Sequence, residues 1–313
     1  IELQERGEAY YFIADLHALT TVQNAAALRA NVHELALDFL ACGLDPARSV
    51  FFRQSDVPQV AELAWILSTV TPMGLLERCH SFKDKTARGI APSHGLFAYP
   101  VLMAADILIY DSDIVPVGRD QKQHLELARD IAQQRINARF APRDAAGEPI
   151  PLLKVPEPLI LKDGARVMSL TDGRSKMSKS DPNEGSRISL LDPPELIVKK
   201  IKRAKTDPTM GLEFGNPERP EADNLLGLYA LLTGKTREQA CQDCSAMGWG
   251  TFKPLLADAG VEALRPVQER YQQWRQDPGA VEAVLRDGQA KAAAVAEQTL
   301  DRVRQALGFL PRR

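Results

Sequence analysis

The sequence predicts an α/β protein: a Rossmann-like parallel sheet with helices on both faces, followed by an all-α C-terminal domain. Three observations predict it. Short apolar runs, such as residues 9–14 and 49–52, alternate with longer amphipathic patterns through the first half. Those runs are apolar throughout, as strands covered on both faces require. After about residue 190 only helical periodicity is left. The division expected is residues 1–190 and 191–313, with the last helix a candidate to pack back on the first domain.

The elements follow in order. Residues 9–14 are aromatic and β-branched and stop at polar Asp15 and His17, like a buried strand ending at a site. Residues 24–40 place Leu28, Val32, Leu35 and Phe39 at spacings of three and four, a helix closed by Gly43 and Pro46. A second strand at 49–52 and a second helix at 58–70 come next. Residues 95–105 and 120–135 read as further helices, with apolar runs at 107–110 and 114–117 between them. Such folds hold their ligands at the carboxyl ends of strands. Further on, Asp192-Pro-Pro starts a helix that runs to about Lys205. Residues 223–232, 237–247, 261–275 and 279–307 are helical in period. Residues 207–224, with prolines at 208, 217 and 220, read as an exposed excursion.

Composition excludes several classes. Hydrophobic residues make up 44% and charged residues 26%, as in a compact globular protein rather than a disordered one. Net charge is −2, so no global positive field recruits nucleic acid, and such a contact needs a local patch. The uncharged stretch 95–105 is 11 residues, well short of the ~20 that a membrane helix needs. Four cysteines do not make a disulfide scaffold. A cytoplasmic protein without a membrane contact is expected. The opening Ile-Glu-Leu-Gln does not read as a secretory signal. It reads like the middle of a polar helix, and the expectation is that residues precede Ile1.

The strongest local signal is Arg174-Ser-Lys-Met-Ser-Lys-Ser180, between Gly173 and Asp181-Pro182. Two lysines separated by two residues on a polar segment can both face one cleft. That arrangement suits a polyphosphate, whose charge they neutralise while serine hydroxyls and backbone amides donate hydrogen bonds. Tyr99, Met103 and Asp106 sit at i, i+4 and i+7 of a helical pattern and so share one face. A carboxylate in the most apolar part of the chain needs a partner. It could accept from an indole N–H, or equally from a tyrosine hydroxyl.

These residues carry a resemblance. Lys-Met-Ser-Lys-Ser is the signature loop of class I aminoacyl-tRNA synthetases. Phe82-Lys-Asp-Lys85, Tyr99-Pro-Val-Leu-Met-Ala-Ala-Asp-Ile-Leu108, Val115-Pro-Val-Gly118, Asp120-Gln-Lys-Gln-His-Leu-Glu-Leu127, Gly164-Ala-Arg-Val-Met-Ser-Leu170 and Arg265-Pro-Val-Gln-Glu-Arg-Tyr271 resemble the bacterial tryptophanyl-tRNA synthetase family, in that family's order. The resemblance covers nearly the whole chain. It implies ligation of L-tryptophan to tRNA(Trp) with ATP and Mg²⁺, by a homodimer.

It also implies roles residue by residue. Asp106 and Met103 would recognise the indole, with His17, Tyr99, Val115, Val117 and Gln121 completing the pocket. Gly118, Arg119 and Asp120 would approach the ribose or phosphate, although the family usually carries an acidic residue where Arg119 stands. Val167 and Met177 would touch adenine. Lys176, Ser178, Lys179 and Ser180 would bind the phosphates. Lys176, Lys179 and Lys85 would stabilise the charge that develops on pyrophosphate, while Lys83 faces solvent.

The family's second signature, a His-Ile-Gly-His-like turn, is not in the sequence and is expected upstream of Ile1. Its absence is the one support for a rival class, a non-catalytic paralogue that binds tryptophan or tRNA. Tyrosyl-tRNA synthetase is the alternative that Asp106 alone would leave open.

Three features stay outside the resemblance. Cys241 and Cys244 have the spacing of half a zinc site, but Cys42 and Cys79 lie in the other domain and no histidine follows His124. Two half-buried thiols are expected there, and no metal-ligating set. Lys199, Lys200, Lys202, Arg203 and Lys205 form a basic helix that either is solvated, meets tRNA phosphate or anchors the signature loop. His124 lies within a matching motif and has no role assigned.

Overall fold

A computed structural model describes residues 1–79, 93–118, 121–160 and 167–311. Contacts divide the chain into two compact units. One comprises Ile1–Leu40, Leu44–Leu161 and Asp277–Arg313; the other comprises Ala41–Gly43 and Lys162–Gln276. This division differs from the one expected at residue 190. The signature-loop segment belongs with the helices that follow it, because its backbone bonds to them: Lys205 N donates to Leu170 O at 2.8 Å.

In the first unit, β1 (Ala9–Ile13) and β2 (Ser49–Arg53) pair in parallel, with Ala9 opposite Ser49 and Ile13 opposite Arg53. Parallel strands need a crossover, which α2 (Ala25–Ala41) supplies. Alternation along the strands loads both faces with rings. Tyr11 and Phe51 meet Phe39 of α2 at centroid distances of 6.2 and 5.2 Å. Tyr10 stacks on Tyr110 at 5.2 Å, and Phe52 meets Phe12 and Tyr110 at 5.8 and 5.5 Å. Two aromatic faces are the reason the strands read as apolar throughout.

The short α1 (Asp15–Ala18) follows β1. After β2 come a 3₁₀ turn (Gln54–Asp56), α3 (Gln59–Val70), α4 (Met73–Glu77) and α5 (His94–Leu108). β3 (Ile114–Pro116) pairs in parallel with β4 (Glu157–Leu159). Between them α6 (Lys122–Asp130) runs on into a π-helical stretch, Ile131–Asn137. The described strands thus form two parallel pairs rather than one continuous sheet. The apolar run 107–110 is no strand: Ile107 and Leu108 finish α5, and Ile109 and Tyr110 are buried beyond its end. A short apolar run does not distinguish strand from buried helix.

The core gathers Phe52, Leu63, Leu67, Ala104, Leu108, Leu125 and Ile131, together with Ala292, Ala296 and Leu300 from the last helix, α11 (Pro278–Leu307). That helix lies directly on β2. A Cβ built on Gly288 would stand 1.9 Å from Phe51 O, so only glycine permits the approach. Arg304, 6% exposed, fixes the other end. It donates to both Glu62 oxygens at 2.7 Å, to Asp301 at 2.7 Å, and to Glu297.

The second unit is built on α7 (Pro194–Arg203), α8 (Pro220–Thr233), α9 (Arg237–Cys244) and α10 (Trp249–Gln276). Ile197, Ile201, Leu225, Leu226, Tyr229, Phe252 and Leu256 form its core. α8 begins at Pro220 rather than after the excursion expected to reach residue 224, since proline suits the first turn of a helix. Thr236 and Gln239 close a reciprocal capping box on α9. On that helix Cys241 is half-buried, while Cys244 is fully buried and its thiol is pushed up by burial. Among the described residues no helix is long and apolar enough to cross a membrane.

Candidate active site

The first unit brings three chain segments to one buried carboxylate. Asp106 sits in the last turn of α5 with its side chain 3% exposed. His17 arrives from α1, just past the carboxyl end of β1, and its Nε2 lies 2.9 Å from Asp106 Oδ2. Gln54 arrives from the end of β2, and its Nε2 donates to both Asp106 oxygens at 2.8 Å. Burial pushes the Asp106 carboxyl above the usual carboxylate range, while the bonds from His17 and Gln54 pull the other way. The result is a desolvated acceptor in an apolar wall.

Tyr99 stands about two turns earlier on the same face of that helix. Its ring meets His17 edge-on at 6.1 Å and His124 at 5.6 Å. Its hydroxyl and His124 Nε2 are 3.2 Å apart. Met103, Val115 and Val117 are half-buried against the same core. Val117 continues the β3–β4 pairing through N–H donation to Leu159 O at 3.1 Å. Gln121 leads into α6, its N–H bonded to Gly118 O at 3.0 Å. An aromatic ring, a thioether, two valines and an acceptor are the parts a flat, apolar ring with one N–H requires.

The second unit holds the signature loop on a small antiparallel ladder. Met177 N donates to Val167 O at 2.9 Å and Ser169 N to Ser175 O at 2.8 Å, with Met168 bridged to Lys176. Val167 and Met177, ten residues apart in sequence, are thereby neighbours. The turn between them is held by Asp172, which accepts from Arg174 N at 3.2 Å and from the Ser175 hydroxyl. Those bonds keep the Asp172 carboxyl below the usual range. Gly173 presses on the start of α8, where a Cβ would meet Glu221 N and Pro220 C at 2.7 Å. Lys176 and Lys179 are both exposed, as a pair of phosphate ligands must be. Ser178 and Ser180 hydroxyls lie 3.0 Å apart beyond them.

The basic helix resolves into two kinds of residue. Lys200 is buried against Asp192 at 2.5 Å, and Lys205 meets Glu221 at 2.8 Å. Lys199, Lys202 and Arg203 are exposed, at spacings that put them on one face of α7.

Most of the expected residues are thus placed. Lys85, with Lys83, lies outside the described residues, as do Arg119, Asp120 and the stretch Gly164-Ala-Arg166. Two residues escaped the sequence reading, Gln54 and Asn224, and His124, noted within a matching motif, was given no role. For Gln54 there was a signal, since a polar residue directly after an apolar strand stands where such folds bind ligands. For Asn224 there was none. Among the described residues no three His, Cys, Asp or Glu side chains gather as metal ligands do, so these residues offer no built cation site.

Comparison with known proteins identifies the family. The model of the family described as tRNA synthetases class I (W and Y) matches residues 1–265. The tryptophan--tRNA ligase of Prochlorococcus marinus (strain MIT 9313) is 61% identical over 311 residues, covering 99% of this chain and 91% of that protein. A crystal structure of tryptophanyl-tRNA synthetase from Mycoplasma pneumoniae superposes with a TM-score of 0.85 at 34% identity, over 99% of this chain and 91% of that one. That of the Campylobacter jejuni enzyme, complexed with ADP and tryptophan, superposes with a TM-score of 0.80 at 36% identity, over 98% and 92%. The chain therefore belongs to the class I tRNA synthetases, in the branch formed by the tryptophan--tRNA ligases.

Proposed function

We propose that the protein activates L-tryptophan with ATP and transfers it to tRNA(Trp). The carboxylate of tryptophan attacks the α-phosphorus of ATP. A P–O bond forms, the bond to the β-phosphate oxygen breaks, and tryptophanyl-adenylate and pyrophosphate result. A hydroxyl of the terminal adenosine of the tRNA then attacks the acyl carbon and releases AMP. The protein needs no nucleophile of its own, because positioning and charge stabilisation carry phosphoryl chemistry.

The observation that carries this reading is the buried Asp106 acceptor between His17 and Gln54. Asp106 accepts the indole N–H, and Tyr99, Met103, His17, Val115, Val117 and Gln121 enclose the ring. Val167 and Met177 meet the adenine, and Gly118, Arg119 and Asp120 the ribose or phosphate. Lys176 and Lys179, with Lys85, offset the charge on the departing pyrophosphate, and Ser178 and Ser180 donate to its oxygens. Mg²⁺, a cation that keeps few protein ligands, would come with the nucleotide and help neutralise its phosphates beside Lys176 and Lys179.

The exposed Lys199, Lys202 and Arg203 face supports contact with the phosphate backbone of tRNA, and the helical unit is the tRNA-binding part of this reading. A cytoplasmic location is part of this reading, since ATP and tRNA are at hand there. The resemblance supports a homodimer, and Trp65 and Met73, 72% and 63% exposed, are apolar surface that such an interface would cover.

Amino-acid-dependent ATP–pyrophosphate exchange tests the reading, with tryptophan, tyrosine and no amino acid in parallel. Exchange with tryptophan alone is expected. Exchange with tyrosine alone would overturn the substrate, and none with either would overturn the enzyme.

A further inference from the structure

Gln54 is fully buried, and its single amide is committed at both ends. Its Oε1 accepts from Leu16 N at 3.2 Å, and its Nε2 donates to both oxygens of Asp106 at 2.8 Å. The two ends determine each other. Turning the amide over would set its NH₂ against the Leu16 N–H and its oxygen against a carboxylate, four groups mispaired at once. The NH₂ is therefore held toward Asp106, where it fixes the plane of the carboxylate and favours its charged form.

An indole N–H can only donate. It bonds best to an ionised acceptor of fixed direction, whereas a phenol hydroxyl can also accept from a protonated acid. We propose that Gln54 is a positioning residue that holds Asp106 as an ionised, oriented acceptor, and so sets affinity for tryptophan and its preference over tyrosine. This rests on the function proposed above. Gln54 touches Asp106 and the start of α1, and acts on the substrate through them.

The test is tryptophan-dependent ATP–pyrophosphate exchange by the wild type, Gln54→Met and Gln54→Glu. Loss of one donor to a buried charge raises the tryptophan KM of Gln54→Met about 10- to 100-fold. The ATP KM is unchanged and kcat stays within about threefold. Gln54→Glu is the informative variant. While it holds a proton, its O–H donates to Asp106 as the amide did; once that proton leaves, two carboxylates face each other. Its tryptophan KM therefore approaches the wild-type value at low pH and rises steeply with pH. The other titratable groups facing Asp106 are His17 and Asp15 from α1 and Tyr110 beyond α5. They are common to both proteins, so the difference between the two pH profiles belongs to position 54.

A wild type active with tryptophan, beside a Gln54→Met with unchanged tryptophan KM, overturns this inference and leaves the function standing. So does a rise in the ATP KM equal to that for tryptophan, or a Gln54→Glu profile parallel to the wild type. A wild type inactive with tryptophan overturns both. If Gln54→Met fails to fold, the Gln54→Glu profile decides alone.

Discussion

Asn224 of α8 clamps Met168 as a neighbouring strand would. Its Oδ1 accepts from Met168 N at 3.0 Å, and its Nδ2 donates to Met168 O at 3.1 Å. A side-chain amide thus satisfies both polar groups of one backbone residue, beside the ladder that joins Val167 to Met177. Asn224 is 8% exposed, its Nδ2 also donates to Ser169 O at 3.4 Å, and these bonds to the ladder account for a buried amide there.

Replacing Asn224 with Leu therefore strands two backbone groups, a loss of about 1–3 kcal/mol. The ladder proposed to meet adenine loses its support, so the ATP KM is expected to rise about tenfold or more while the tryptophan KM is unchanged. ATP titration of pyrophosphate exchange checks this; equal effects on both substrates would count against it.

Asp106→Asn is expected to raise the tryptophan KM about 10- to 100-fold, because the amide cannot face both Gln54 and the indole as an acceptor. The wild type should show the same loss in acid. Burial raises the Asp106 carboxyl, so it takes up its proton at a higher pH than an exposed carboxylate does. The tryptophan KM therefore rises as pH falls through that raised value, and Asp106→Asn removes the dependence. Steady-state kinetics across pH read both.

Lys176→Ala and Lys179→Ala should each lower the adenylation rate about 10²- to 10³-fold, as removal of a preorganised charge-stabilising donor does. Tryptophan binding should change by less than about twofold, because the proposed mechanism gives the lysines to the phosphates and the indole to Asp106. Single-turnover formation of the adenylate separates the two. An unchanged rate in both variants would remove the lysines from the mechanism.

Gly288→Ala should destabilise the first unit by about 3 kcal/mol, since its Cβ would meet the Phe51 backbone and neither element can yield alone. A fall in the denaturant midpoint at constant slope is the expected result. An unchanged midpoint would mean that α11 shifts along β2 without cost.

Part of the site was legible because its residues sit on local patterns. Tyr99, Met103 and Asp106 share a helical face in any α-helix of that sequence, and Lys176 and Lys179 fall within one short polar loop. The charge run on α7 was misleading for a related reason. Composition counts Lys200 with its neighbours, whereas the fold buries it on Asp192. A buried ammonium and an exposed one look the same until the packing around them is known.

What the sequence determined by itself was local: the strands that begin at residues 9 and 49, most of the helices, and which loop could meet phosphate. Periodicity and turn chemistry act over a few residues, so they can be read from them. What only the tertiary structure decided is which distant polar groups meet. Gln54 and Asp106 are 52 residues apart, His17 and Asp106 are 89, and Asn224 and Met168 are 56. The partner of a buried amide or carboxylate is chosen by the closing of the chain. Because leaving such a group unpaired costs more than almost any surface change, that choice governs the buried Asp106 carboxylate and the ladder that joins Val167 to Met177.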